Sequence, residues 1–430
     1  MTHGEFLDGY RLFVEDALKR YNELPDEKDE LYKRYFVKVP LGEDSAVKDT
    51  VDAGERISKS IADATGIVFD AVVGASGASA KKSSIRVLQP QELGNDVLES
   101  KIVHSGDDKI AALIHAHSKK VVLIDVPDGA DETMNILFFA VDEQLPVQVI
   151  IKAGENSKLT LLEWYASEGV AQKYIGPLHE VSAGRYSNVE IDIIHNENES
   201  TSVAGFSKCR SDEGATIRFN QVFNGAPFTK AKSDLEAYGY SSSVHGTEIA
   251  IGSKEQKFDI GSHITNSAKA SVAELESKAV LTGKSYCLFK GLAKIRSGAK
   301  ESKSFLKESG LLVDPQAHID SIPSMSVDDS DVKATHSSAT APIDEEALFY
   351  MMTKGLDIGH AKKLVVESYM SKAIDRIKNP AVREVVTHML IEKLETGSFG
   401  TVPKPRQTDI WMTRNIDEGD LFEGHYKYRS

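Results

Sequence analysis

The spacing between apolar residues changes twice along the chain and divides it into three parts. In EFLDGYRLFVEDALKRY (5–21), Phe6, Leu7, Tyr10, Phe13, Val14, Leu18 and Tyr21 recur at intervals of three and four, one apolar face of a helix. Pro25 interrupts it, and 26–35 predicts a short second helix. From about residue 101 short alternating segments replace the helical period. Three share a shape: GENSKLTLLEWY (154–165), GRYSNVEIDIIH (184–195) and DEGATIRFNQVF (212–223). Each opens on Gly or an acidic–Gly turn, passes small polar residues and enters a strand of period two. Their starts lie 28–30 residues apart, a repeat interval. HITNSAKASVAELESKAVL and LFKGLAKIRSGAKESKSFL continue the theme. Stacked units of this kind bury a continuous ladder of Val, Ile and Leu, as in a parallel β-helix. A β-sandwich of hairpins is the alternative that the pattern leaves open.

After 340 the helical period returns with clear punctuation. Asp344 is placed as an N-cap, Glu345 and Glu346 suit the positive end of the helix dipole, and Ile343 with Leu348 can form a hydrophobic staple. Gly355 predicts the stop. A second helix is expected from about 358 to 378. A third starts at Pro380 and aligns Val382, Val385, Val386, Met389, Leu390 and Leu394 on one stripe. Beyond Gly397, TVPKPRQTD reads as extended and the remaining tail as polar.

GIVFDAVVGASGASAKKSS (66–84) has the outline of a phosphate loop, an apolar strand followed by Gly74 and Gly77. A Walker loop needs Gly-Lys-Ser/Thr together, but Lys81 follows Ala80, and a dinucleotide fingerprint needs a third glycine. The stretch is therefore read as a flexible Gly/Ser linker, and no nucleotide site is expected on this chain.

Composition narrows the classes. The 430 residues carry a formal net charge of −14, from 51 basic and 65 acidic residues, the wrong balance for a general nucleic-acid binder. Two cysteines, Cys209 and Cys287, are too few for a disulfide framework and wrongly spaced for zinc. Both fall in strand-like segments, where buried small side chains are expected. The start shows no basic region followed by an apolar one, and no apolar run approaches the ~18–20 residues of a membrane span. A cytoplasmic protein without membrane contact is expected. His115 and His117, two apart in LIHAHSKKVVLI, are read as one face of a strand with no third ligand near them.

The stretch from GLAKIRSGAKESKSF through VKATHSSATAPIDEEALFYMMTKGL resembles the SufB/SufD family, the scaffold components of the SUF iron–sulfur cluster assembly machinery. The resemblance rests on the Thr335–His336 step at a strand end, the helix start Asp344–Glu345–Glu346–Ala347–Leu348–Phe349–Tyr350, and Gly355. KFDIGSHITNSAKASVAELESKAVL and AGENSKLTLLEWY are similar to its central region, so about 110–375 is covered. SufB-type chains place a cysteine upstream of this histidine and a Glu after it. Here Phe305–Leu306–Lys307–Glu308–Ser309 lies upstream and Ser337 follows, the SufD-like pattern. LPDEKDELYKRYFVKVPL resembles a SufD-type segment, with Tyr32 where tryptophan is usual.

The resemblance implies a mainly β chain. A right-handed parallel β-helix core (101–339) would lie between an N-terminal helical region with its linker (1–100) and a C-terminal helical region (340–430). It implies a non-catalytic scaffold subunit that pairs with a SufB-like chain, or with a second copy as a homodimer, and with the SufC ABC-type ATPase. Iron accepts imidazole in place of thiolate, and a scaffold that releases its cluster benefits from few, mixed ligands. His336 is then expected to be this chain's ligand in a transient, inter-subunit iron–sulfur site, because one imidazole holds no cluster alone. The C-terminal helices resemble the ATPase-docking element, and Phe349, Tyr350, Met352, Leu364, Val365 and Met370 are its candidate apolar contacts. His263 and His318 match stretches of the family core without an assignable role. The competing functions are a divergent SufB-like homodimeric scaffold and a β-helix enzyme acting on acidic polysaccharide. For the enzyme, a secretion signal and a cluster of Asp, Arg or Lys on one strand face are the missing features.

Overall fold

A computed structural model describes residues 14–24, 50–75, 77–89, 92, 102–118 and 120–401. The start of the first predicted helix, the short second helix (26–35) and the extended segment after Gly397, from residue 402 onward, lie outside these residues; 14–23 is helical as expected. Two long sheets face each other and form a parallel β-solenoid of about eight turns, with helices at both ends.

One sheet consists of β1 (Ala71–Gly74), β5 (Asp131–Val141), β7 (Lys158–Glu168), β9 (Asn188–Asn196), β11 (Thr216–Phe223), β13 (Ser243–Gly252), β15 (Val272–Leu281), β17 (Lys303–Leu312) and β19 (Lys333–Pro342), with β2 (Ala78–Ala80) at its start. The other holds β4 (Lys120–Val126), β6 (Leu145–Ala153), β8 (Lys173–Ala183), β10 (Thr201–Ser211), β12 (Phe228–Ala237), β14 (Lys257–Asn266), β16 (Tyr286–Ile295) and β18 (His318–Val327), with β3 (Ile85–Leu88) antiparallel at its start. From β4 onward even and odd strands alternate between the sheets, so each turn of chain adds one strand to each. Equivalent residues fall from 26 (Ser202 to Phe228) to 32 (Tyr286 to His318) positions apart, a range that brackets the repeat interval seen in the sequence. The sandwich alternative fails because the repeating strands pair in parallel.

Parallel pairing without slippage stacks like positions into columns. The interior column Phe138, Tyr165, His195 and Phe223 is a run of rings, with centroids 4.7, 4.9 and 5.3 Å apart. The turn before each odd strand is also repeated: Asn156, Tyr186, Gly214, Ser241, Ala270 and Glu301 all have φ between 55° and 63°. Each donates its amide to a carbonyl of the next turn, as Asn156 does to Arg185 and Tyr186 to Glu213, both at 2.9 Å. The left-handed conformation costs a non-glycine residue about 1 kcal/mol, offset here by a backbone bond in a stacked corner.

Helices cover the sides. α1 (Thr50–Thr65) packs Ile57 and Ile61 against Val72, Leu137 and Phe139 at the start of the solenoid. α2 (Lys109–His117) packs Ile110, Leu113 and Ile114 on Tyr174, Leu178 and Phe206 of the second sheet. α3 (Glu345–Thr353), α4 (Ile358–Ile374) and α5 (Pro380–Thr396) follow β19 and return along the outside of the first sheet. There Val366, Met370, Val382, Val386 and Met389 meet Trp164, Ile194, Val222, Ile249 and Val280. The caps are those expected. Asp344 accepts from the amides of Glu346 and Ala347 at 2.9 and 3.1 Å, and Pro380 and Gly397 bracket α5.

Two readings are corrected. The stretch 66–84 is not a flexible linker: Ala71–Gly74 is a buried strand, paired with β5 in parallel and β2 antiparallel. Ala71 and Val73 fill the first interior row, and Gly74 donates its amide to the Gly77 carbonyl at 2.8 Å where the strand turns back. His115 and His117 lie on helix α2 rather than a strand. The apolar run Ile110–Ile114 is buried against the second sheet, and a helix buried over that whole run lacks the polar face that marks a helical period. His115 Nδ1 sits 3.2 Å from Ser105 Oγ.

Candidate functional site at the open end of the solenoid

The last turn lacks the cover that every earlier one has. β19 pairs with β17 on one edge, and among the described residues no strand takes its other edge. Ten residues long and exposed along most of its length, it is an unprotected edge of the kind that templates strand association.

Register places His336 on the interior face of this strand. It pairs with Leu306, and the same column continues through Leu275, Gly246, Phe219, Ile191 and Leu161 to Met134. Every other member is apolar or Gly. The next interior columns end at Ser338 and Thr340. The other sheet ends in Met325 and Val327, 43% and 40% exposed in columns that are buried in the preceding turn. The end thus presents uncovered core positions, apolar on β18 and polar on β19. The ring nitrogens of His336 have no hydrogen-bond partner among the described residues, and a neutral imidazole at that spot is free to accept a metal or a donor.

Behind His336 runs a line of buried polar side chains facing the interior. Glu308, in the column of Ser338, accepts from Ser321 Oγ of the opposite sheet, and Ser338 donates to Ser321 at 2.7 Å. Burial raises the Glu308 carboxyl, while the Ser321 hydrogen bond and the nearby His336 pull it down. Further in, Glu248 accepts from Ser262 and, at 2.6 Å, from Ser277; burial pushes it up to about 7. Deeper still, Glu163 accepts from Tyr165 and approaches His179 Nε2, both at 2.8 Å, while His179 Nδ1 meets Ser207 Oγ at 3.1 Å. Such groups persist in a core only when each is hydrogen-bonded.

The cysteines sit in the same interior, fully buried, and burial raises both thiols well above their usual range. Neither is exposed at the open end. Among the described residues no three His, Cys, Asp or Glu side chains converge as a metal site. His263 and His318 face outward, each beside an aspartate, Asp234 at 3.0 Å and Asp320 at 3.1 Å.

The candidate docking residues divide. Phe349, Tyr350, Met352 and Leu364 are 68%, 62%, 44% and 45% exposed, joined by Ile358 at 46%, which sequence reading missed. Val365 packs at the edge of the core and Met370 is fully buried against it. Met370 is therefore removed from the surface group: it lies on the side of α4 that faces the sheet. Sequence reading also missed Met325, Val327 and Glu308. The signal for them was the coil interval, which puts Glu308 on the same face as His336, 28 residues earlier.

The family described as SUF system FeS cluster assembly, SufBD core domain, matches residues 139–369, more than half of the chain. The iron–sulfur cluster assembly protein SufD of Bacillus subtilis is 21% identical over 59% of this chain and 59% of its own length. Protein ABCI7 of Arabidopsis thaliana, chloroplastic, is 19% identical over 69% and 65% respectively. An iron-sulfur cluster assembly SufBD family protein of Mycobacterium bovis is 25% identical over 45% of this chain, which spans only 23% of that relative's length. No helix among the described residues is long and apolar enough to cross a membrane.

Proposed function

The chain belongs to the SufB/SufD family of iron–sulfur cluster assembly proteins, and we propose that it works there as a non-catalytic, SufD-like scaffold subunit whose open solenoid end is completed by another chain. The observation that carries this reading is the uncovered last turn: a long unpaired edge with core positions turned to solvent. A second β-solenoid docked end-on would extend both sheets and cover Met325 and Val327. It would also enclose His336 at the seam. A SufB-like subunit fits best, because it would bring the thiolate that this end lacks; a second copy would bring another imidazole. In such a seam His336 contributes one ligand to a transient cluster, and the partner contributes the rest.

The exposed Phe349, Tyr350, Met352 and Leu364, with Ile358, support docking of an ABC-type ATPase of the SufC kind on α3 and α4. Nucleotide hydrolysis then belongs to that partner, and its closure would move these helices beside the seam. The reading is tested by native mass spectrometry of the chain purified anaerobically after co-expression with SufB-like and SufC-like subunits. A three-component assembly is expected, with His336→Ala keeping the subunits and losing bound iron and sulfide. Failure to assemble would overturn the scaffold reading, and metal content indifferent to the substitution would remove His336 as a ligand.

A further inference from the structure

We propose that Glu308 is a second metal-facing group of the open end, so that this chain offers a divalent first-row metal ion an imidazole and a carboxylate together. The inference rests on the reading of His336 given above and deepens it.

Position comes first. His336 pairs with Leu306, and Glu308 is two residues further along β17, so both side chains point to the interior face of adjacent strands as diagonal neighbours. Among the described residues no strand lies beyond β19, and His336 is exposed there while Ser338 lies over Glu308 in the same column.

The surroundings of Glu308 come second. Its side chain is 1% exposed, yet among the described residues it has no cationic ion-pair partner. Its oxygens are met by the Ser321 hydroxyl and the Gly291 amide. Gly291 makes the room, since a Cβ there would collide with Glu308 Oε1. The neighbouring Glu276, on the outer face, shows the ordinary arrangement: Lys307 at 3.2 Å and Arg376 at 2.8 Å. A buried carboxylate held by neutral donors costs stability unless a cation completes it. A cation would reach this carboxylate from the exposed His336 side, past the Ser338 hydroxyl that bonds to Ser321 at 2.7 Å.

The donor set comes third. Imidazole with carboxylate suits ferrous iron and its first-row neighbours, and it leaves coordination positions for a covering chain. Glu248 shares the interior column but sits two strands deeper, enclosed by Ser262 and Ser277, and makes no such half-site.

The test is an anaerobic titration of the full-length chain with Co(II), read by its ligand-field absorption, for wild type, His336→Ala, Glu308→Gln and Glu308→Asp. Saturable binding to wild type is expected. It should weaken at least about tenfold in Glu308→Gln and in His336→Ala, with partial recovery in Glu308→Asp. Thermal unfolding separates binding from folding. Gln keeps an acceptor for Ser321 and removes a buried charge, so its melting temperature should equal or exceed that of wild type. Binding by Glu308→Gln within twofold of wild type, or no Co(II) uptake by wild type at millimolar concentration, overturns the proposal. Loss in His336→Ala alone overturns the role of Glu308 and leaves the scaffold reading intact. Binding through both residues by a chain that assembles with no partner supports the half-site and removes that reading.

Discussion

The two ends of the solenoid use the same columns for opposite purposes. At the start, β5 points Met134, Ile136 and Phe138 inward, each fully buried, and α1 packs over the first strands from outside. At the far end the same columns finish in His336, Ser338 and Thr340, all exposed. Backbone geometry is continuous between them, because parallel ladders repeat whatever side chains they carry. What changes is the cover. A free chain gains little from apolar side chains on an uncovered face, so the polar residues on β19 are tolerated there. Met325 and Val327 on β18 are not explained by solvent in the same way, and they point to a second surface that closes this end.

The comparison can be broken first by truncating matched positions. Phe138→Ala should lower unfolding stability by ~3–5 kcal/mol in urea, whereas Thr340→Ala in the same column should stay within ~0.5 kcal/mol. Equal effects would mean that the far end is covered in the isolated chain.

Glu248 gives the next largest effect, and it depends on pH. Its folded value of about 7 lies above the ordinary 4.5, so the folded chain holds this proton longer than the unfolded one. That contribution is complete below pH 4.5 and is lost as the pH rises through 7. Glu248→Gln, which has no proton to lose, should match wild type near pH 4.5 and exceed it by roughly 3 kcal/mol at pH 8. Denaturant midpoints across this range check the sign.

Gly54→Ala probes the covered end. A Cβ at this position on α1 would collide with the Phe139 ring and with Val72. A loss of ~1–3 kcal/mol is expected, with faster proteolysis within 50–65. The smallest change sharpens the contrast: His336→Ala should leave stability within ~0.5 kcal/mol while abolishing what the open end binds.

Much of this was legible in the sequence, and for physical reasons. The 28–30-residue interval survives in any parallel ladder because equivalent turns need equivalent residues. The C-terminal punctuation at Asp344, Gly355 and Pro380 is local chemistry and stands where it was read. The stretch 66–84 misled because Gly and Ser serve tight strand returns as well as linkers. The helix carrying His115 misled because burial of the unbroken run Ile110–His115 erases the helical period. At the site, His336 was found through resemblance, while Glu308 was passed over. A lone glutamate in FLKES carries no signal until register shows that it faces inward. Likewise, Met370 and Leu364 look alike in sequence, and only packing separates the buried residue from the exposed one.

The central claim is that the last turn is incomplete in the isolated chain and completed by a partner. Amide hydrogen exchange measured on the chain alone and in its co-purified assembly tests this directly. The amides of 333–342 should exchange quickly in the free chain and become strongly protected in the assembly, with 158–168 protected in both. Amides of 333–342 that exchange equally fast in the two states would contradict the account.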